Sequence, residues 1–326
     1  MIDGLGEHQL QAYLASGQLP ELARRLPEWR GTLTSTFPST TMSAMTTLYM
    51  AEPPAVTGWL GYSLFDGDDV LDMLFQRRAT PQGEVRALNS AELARLRGVD
   101  SQAKRLSALG VPCRHIAPAT FQNTFLTDWF SEGADFLGYE NHADVPALWP
   151  AAFQPGYTLA YFPEYDTACH AYGVGSPQAV AELRSLDGLL AALLDSRPRD
   201  CAVLLLADHG HINVAALPPS AEYLACLNGL PAGEGRALTA RFLPGKAEAA
   251  RHLLSEVAEV LTADELWAQG WYGGPPQTEA DRARVGELTA VPRSHFQFVP
   301  PGRPHLRGTH GGWTEAEMRV PVLCWR

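Results

Sequence analysis

The residues from Cys201 to Leu206 form an apolar run with no turn former inside it, and the run ends in Ala207-Asp208-His209-Gly210-His211. A short run of this kind is the pattern of a strand buried on both faces, which requires a sheet covered by helices on each side. Open parallel sheets gather their chemistry at the carboxyl ends of their strands. A carboxylate beside an imidazole at such a place is a pair of metal-type ligands, yet an isolated Asp-His-Gly is also what a solvated turn looks like. What the other strand ends carry decides between the two.

Strand and helix patterns alternate over residues 1 to 212, which predicts a parallel sheet wrapped on both faces. Ile2-Asp3-Gly4-Leu5-Gly6 reads as a strand end followed by a glycine turn and a helix carrying Leu10, Tyr13 and Leu14. Leu19 to Trp29 reads as a short helix. A β-branched strand from Thr32 runs into the hydroxyl cluster Ser39-Thr40-Thr41, with a helix over Met42 to Met50 and one of these hydroxyls as its cap. Residues 60 to 100 hold the loop Asp66-Gly67-Asp68-Asp69, an amphipathic piece over Val70 to Phe75 and a charged helix, Ser90 to Arg97. A helix over Asp100 to Leu109, a strand over Val111 to Ile116, an irregular stretch from Pro118 to Leu148 and a strand over Thr158 to Phe162 follow. Val180, Leu183, Leu186, Leu189, Leu190, Leu193 and Leu194 give Ser176 to Ser196 strong helical periodicity.

The strand ends then supply Asp3, Thr40 and Thr41, Asp166 and His170, and Asp208 and His209, with His310 in the glycine loop before the last strand, Val320 to Trp325. Asp166 and His170 stand four residues apart, which brings two side chains onto one face of a helical turn. Three carboxylates with three imidazoles suit two divalent ions of zinc or manganese character. Two such ions bind the attacking and leaving oxygens of a phosphoryl group together and can activate a threonine hydroxyl. His211 is read as a surface or supporting residue, as are His8, His115, His142, His252, His295 and His305. The aspartates around Gly67 lack EF-hand spacing and read as a solvated turn.

Residues 213 to 300 change pattern, with helices over Pro219 to Leu227, Lys246 to Leu261 and Ala263 to Gln269, and strands over Arg236 to Leu243 and within Arg284 to Val299. They are expected to form an antiparallel or mixed α+β insert, or cap, in a single domain of residues 1–326. Thr314 to Glu317 carries a capping-box pattern.

The chain is acidic, with 25 Lys and Arg against 36 Asp and Glu and a net charge of −11, which argues against a nucleic-acid duplex or an anionic membrane as partner. A small anionic substrate remains compatible, because bound metal ions make a site locally positive. The five cysteines are odd in number and lack a Cys-x-x-Cys pair, so buried free thiols are expected. No run approaches a membrane span and no signal peptide opens the chain, so a cytoplasmic location is expected. No strand precedes Asp3, so a segment upstream of Met1 is expected, and Asp3 is expected to be the least firmly held ligand.

These residues carry a resemblance to the alkaline phosphatase superfamily, in particular to its type I phosphodiesterase/nucleotide pyrophosphatase branch. The matching pieces are Ile2 to Gly6, Phe37-Pro38-Ser39-Thr40-Thr41 with Pro53-Pro54 and Gly58 to Tyr62, Tyr165-Asp166 to Gly173, Ala207 to Gly210 and Thr309 to Gly312, in the family's order. The resemblance implies a three-layer αβα sandwich with a mostly parallel central sheet. It implies that Asp166, His170 and His310 hold one metal, and that Asp3, Asp208, His209 and a threonine oxygen hold the other. It implies, too, that this threonine would attack phosphorus and form a covalent phospho-threonine, to be released by water at the metals. A register without gaps from Met50-Ala51, where the family has Thr-Gly, selects Thr41. Matching the family's Thr-Phe-Pro instead selects Thr36, and Thr40 is the other candidate. Val56-Thr57-Gly58 replaces the family's Glu-His-Gly, and the phosphate-binding asparagine has no clear counterpart near Tyr62. The expected substrate is a small phosphodiester or nucleotide pyrophosphate. A phosphomonoesterase or phosphonate hydrolase is the enzyme alternative, and a binding-only or inactive relative the alternative of another class.

Overall fold

The computed structural model describes residues 1–299 and 305–326. Its centre is a mixed sheet built around the Val203–Leu206 strand. Cys113–Pro118 pairs in parallel with Asp135–Tyr139 on one side and with Tyr157–Ala160 on the other. Next comes the short segment from Met1 to Asp3, with Ile2 bridged in parallel to Phe162. The Ile2 amide donates to the Leu206 carbonyl at 3.0 Å, which joins Val203–Leu206 to the same sheet. Arg319–Trp325 then runs antiparallel between Val203–Leu206 and Trp29–Thr34. The parallel pattern therefore holds on one side of Val203–Leu206 and gives way beyond it.

Both faces are covered, as the apolar runs require. Ile116 packs into one core with Ile2, Leu10, Leu183, Leu186 and Leu205, under the helices Glu7–Ala15 and Pro177–Ser196. Its neighbour Ala117 packs into a second core with Met42, Met45, Tyr49, Trp129 and Phe130, under Thr41–Met50 and Phe125–Phe130. Adjacent residues of one strand facing two cores is the signature of an inner strand in an αβα sandwich. The Pro177–Ser196 helix starts where its cap predicts, the Ser176 hydroxyl accepting from the Ala179 amide at 3.2 Å.

Several local expectations are revised. The stretch from 63 to 87 is a four-stranded antiparallel meander, and Asp66-Gly67-Asp68-Asp69 is its first hairpin turn. Arg78 ties that turn down by contacting Asp66, Asp69 and Glu92. The helix expected from Lys246 to Leu261 ends at Ser255, and Ala258–Thr262 is a strand. The reason is a change of period, because Ala258 and Val260 are buried on one side while Glu259 between them is exposed. The stretch from 118 to 148, read as irregular, contains the Phe125–Phe130 helix and the Asp135–Tyr139 strand.

Between 213 and 300 the strands Ala232–Glu234, Ala237–Ala240, Leu288–Pro292 and Ala258–Thr262 form an antiparallel sheet in that order. Pro300, the last residue assigned to the insert, lies outside the described residues. Leu238, Ala240, Val260 and Leu288 build a separate core against the Ala247–Ser255 helix. Ala237, Leu261 and Val291 join the main core. This second sheet is thus packed onto the first rather than tethered to it.

Behind Met1 the Tyr157–Ala160 and Val203–Leu206 strands part around an apolar groove of about 540 Å³. Leu186, Leu190 and Leu193 of the long helix line it, with Trp149 and Phe153. Leu204, in the middle of an inner strand, is 53% exposed as a result. Among the described residues no helix is long and apolar enough to cross a membrane.

Candidate metal centre

The residues singled out from sequence converge at one edge of the central sheet. Asp3 ends the Met1-to-Asp3 segment, and Asp208 and His209 follow Val203–Leu206. Asp166 and His170 lie on the Glu164–Tyr172 helix that leaves Tyr157–Ala160, and Thr41 opens the Thr41–Met50 helix. His310 sits in the loop ahead of the antiparallel strand Arg319–Trp325, whose reversed direction brings that loop to the same edge.

Two clusters result. In one, Asp166, His170, His211 and His310 place one donor atom each within 4.8 Å of one another, and in the other Asp3, Asp208 and His209 do the same. The His209 and His310 rings stack at 3.6 Å, so the clusters share a wall. His211 was not expected there. It is 1% exposed, and its Nε2 lies 2.6 Å from Asp166 Oδ1. The available signal was its place two residues after His209, next to the buried Ile212, since alternate residues of extended chain share a side.

Asp3 is held far better than the missing strand suggested. It is 1% exposed, and its amide donates to the Phe162 carbonyl at 3.0 Å. The Tyr161 hydroxyl donates to its Oδ2. Ladder bonds on both sides replace the rigidity that a longer strand would have supplied. Asp208 is fixed by the Gly4 amide, which donates to its Oδ1 at 3.1 Å. Gly4 and Gly210 are glycines for steric reasons: a Cβ at Gly4 would lie 2.7 Å from the His211 ring, and one at Gly210 would lie 2.0 Å from the Ala316 carbonyl oxygen.

Three histidines are anchored alike. Nδ1 of His170 donates to the Gly308 carbonyl at 2.9 Å, that of His310 to the Ser39 carbonyl at 2.9 Å, and that of His209 to the Gly210 carbonyl at 3.1 Å. Each therefore turns its Nε2 toward the clusters, the arrangement of metal-ligating imidazoles. Burial, reinforced by the neighbouring imidazoles, holds His310 well below the usual histidine range and keeps it neutral.

The donor sets fit divalent cations. His209 Nε2 has Thr41 Oγ1 at 3.0 Å, Asp208 Oδ2 at 3.3 Å and Asp3 Oδ1 at 3.4 Å. One nitrogen cannot satisfy three oxygens, and Asp3 Oδ1 and Asp208 Oδ2 are buried without any hydrogen-bond partner. Burial, with the charges of Asp208 and Asp166 added, pushes the Asp3 carboxyl well above its ordinary range. Such a cluster of buried acceptors is costly unless a cation compensates it. At Asp166 burial also acts upward, but His170 and the hydrogen bond to His211 outweigh it and keep the carboxylate ionised.

Of the three threonines weighed, Thr41 is the one whose hydroxyl lies within hydrogen-bond distance of His209. Thr36 donates to the Pro38 carbonyl at 3.1 Å, and Thr40 is wholly buried at the helix cap. Ser39 braces the site by donating to the Gly312 carbonyl at 2.6 Å and accepting from the Gly311 amide at 3.2 Å. A buried ion pair missed in the sequence does the same from the second sheet. Arg236 Nε and Nη2 donate to the two Glu317 carboxylate oxygens at 3.0 and 2.9 Å, both residues being 0% exposed.

Paired acid and imidazole clusters at the strand ends of a sandwich are donor sets suited to divalent cations. The chain belongs to the type I phosphodiesterase/nucleotide pyrophosphatase family, whose model matches residues 1–313. That family lies within the alkaline phosphatase superfamily. Among solved structures, phosphonoacetate hydrolase from Sinorhizobium meliloti 1021, in complex with phosphonoformate, superposes with a TM-score of 0.71 at 18% identity, covering 99% of this chain and 88% of that one. Murine ectonucleotide pyrophosphatase/phosphodiesterase 5, in an inactive threonine-to-alanine form complexed with AMP, gives 0.72 at 14% identity, covering 99% and 86%. The human counterpart gives 0.72 at 12% identity, with the same coverage. A comparison with curated proteins finds no match.

Proposed function

We propose that the protein is a metal-dependent phosphodiesterase of nucleotide pyrophosphatase type with Thr41 as its nucleophile. The observation that carries this reading is the convergence of Thr41 Oγ1, Asp3 and Asp208 on His209 Nε2, beside the Asp166 cluster. Asp166, His170 and His310 would hold one divalent ion, and Asp3, Asp208, His209 and Thr41 the other. When bound, ions of zinc or manganese character acidify the hydroxyl and neutralise phosphate charge.

The remaining work falls to the chain. The Thr41–Met50 helix begins at Thr41 itself, so the free amides of its first turn would offer an anion site beside the nucleophile. The Thr41 hydroxyl gives up its proton to solvent, and Oγ forms a bond to phosphorus as the bond to the leaving oxygen breaks. The leaving oxygen departs with the electron pair and takes a proton from solvent. Water then cleaves the phospho-threonine and restores the hydroxyl. Phe37, Trp271 and Trp313, with ring centroids 5.0 to 5.6 Å apart, cluster next to the nucleophile loop and the His310 loop. Trp271 and Trp313 are only partly buried, and such a surface favours a flat aromatic group on the substrate, such as a nucleobase.

Phosphonate hydrolysis on the same clusters is the second reading, favoured by the superposition on phosphonoacetate hydrolase. Metal analysis of the purified protein should find close to two ions per chain. Chelation should lower the melting temperature, and restoring zinc at about a thousandfold excess over Kd should return roughly 4 kcal/mol for each ion bound. An aryl phosphodiester should turn over faster than an aryl phosphomonoester or phosphonoacetate. Preferential release of acetate and phosphate from phosphonoacetate would move the assignment to the second reading, and a stably folded protein without metal affinity would remove both.

A further inference from the structure

We propose that His211 is a positioning residue for Asp166 rather than a fourth metal ligand, so that the Asp166 cluster keeps an open coordination position. The inference rests on the metal-dependent reading above. His170, His209 and His310 each place Nδ1 on a backbone carbonyl and turn Nε2 inward. His211 does the opposite. Its Nε2 sits 2.6 Å from Asp166 Oδ1, and its Nδ1 is buried with no hydrogen-bond partner.

A neutral imidazole carries one N–H. If Nε2 bound a metal, the proton would sit on Nδ1 and leave a buried donor unsatisfied, which is costly. With the proton on Nε2 the ring donates to the carboxylate, and only a lone pair lacks a partner. The ring is held for this role. Gln9 donates to the His211 carbonyl, and the absence of a Cβ at Gly4 makes room for the imidazole edge. The first cluster then has three protein ligands, Asp166, His170 and His310. Three ligands leave room for substrate, whereas four would close the site into a structural one.

The test compares His211→Gln, whose amide can donate to Asp166, with His211→Ala. Zinc affinity is measured against a chromophoric chelator, and coordination is read from the visible spectrum of the cobalt(II)-loaded protein. His211→Gln is expected to bind two ions with Kd within about threefold of the parent and an unchanged cobalt spectrum. His211→Ala should weaken one ion by roughly 10- to 100-fold, as loss of a supporting hydrogen bond does, again without a change in the cobalt spectrum. An altered spectrum or a lost equivalent in the Gln variant would make His211 a ligand and overturn the proposal. So would parent-like affinity in the Ala variant. Failure of the parent protein to bind metal overturns the metal-dependent reading as well, and is told apart by needing no variant.

Discussion

Thr41→Ala is expected to reduce turnover of an aryl phosphodiester by roughly 10⁴-fold or more, as removal of a nucleophile does elsewhere, with metal content almost intact. The Thr41 hydroxyl lies 3.0 Å from His209 Nε2 at the start of a ten-residue helix, so its removal takes away the attacking atom and one of the four donors proposed for the second ion, and leaves the other three in place. Asp3, Asp208 and His209 keep their backbone anchors in the variant, which is why the second ion should still bind. Thr41→Ser should keep measurable activity. Single-turnover assays on the Ala, Ser and parent proteins, with metal analysis of each, check the assignment. Parent-like turnover in Thr41→Ala would move the nucleophile to Thr40 or Thr36.

The largest stability effect is expected at the ion pair between Arg236 and Glu317. Arg236 also donates to the Ser294 and Phe296 carbonyls at 2.6 Å, and Glu317 accepts from the Gly312 amide at 2.9 Å and the Thr314 hydroxyl at 2.7 Å. The pair thus bolts the second sheet to the loop that carries His310. Arg236→Met leaves Glu317 buried and uncompensated, and breaking such a pair costs about 3–5 kcal/mol. Denaturant unfolding should show that loss, and the metal held by His310 should bind more weakly. Replacing both residues with Arg236→Met and Glu317→Leu should regain much of the stability, because the stranded charge is gone, without regaining the metal affinity, because the Gly312 amide has lost its acceptor. Equal metal affinity in all three proteins would show that the loop needs no such brace.

Much of the site was legible in the sequence because its residues sit where period and position announce them. Asp208 and His209 end an apolar run, and Asp166 and His170 share a helix face at four-residue spacing. What escaped reading depends on partners distant in the chain. His211 is defined by Asp166, 45 residues away, and Arg236 by Glu317, 81 residues away. Glu317 was visible only through its capping box with Thr314, which says nothing of a buried arginine. The meander of residues 63–87 was hidden because its strands are three or four residues long and carry charged side chains, too short for alternation to register. Asp3 was misjudged because local sequence shows no strand behind it, whereas the ladder that holds it comes from Phe162 and Leu206.

The groove behind Met1 gives the sheet a seam. At the end that carries the acid and imidazole clusters, the Met1-to-Asp3 segment stitches Tyr157–Ala160 to Val203–Leu206. At the other end the two strands stand apart over the apolar floor provided by the long helix. Amide exchange should be slow at Ile2 and Asp3, whose N–H groups are paired with the Leu206 and Phe162 carbonyls, since protection follows local pairing. The stitch thereby sets the firmest part of the seam next to the clusters.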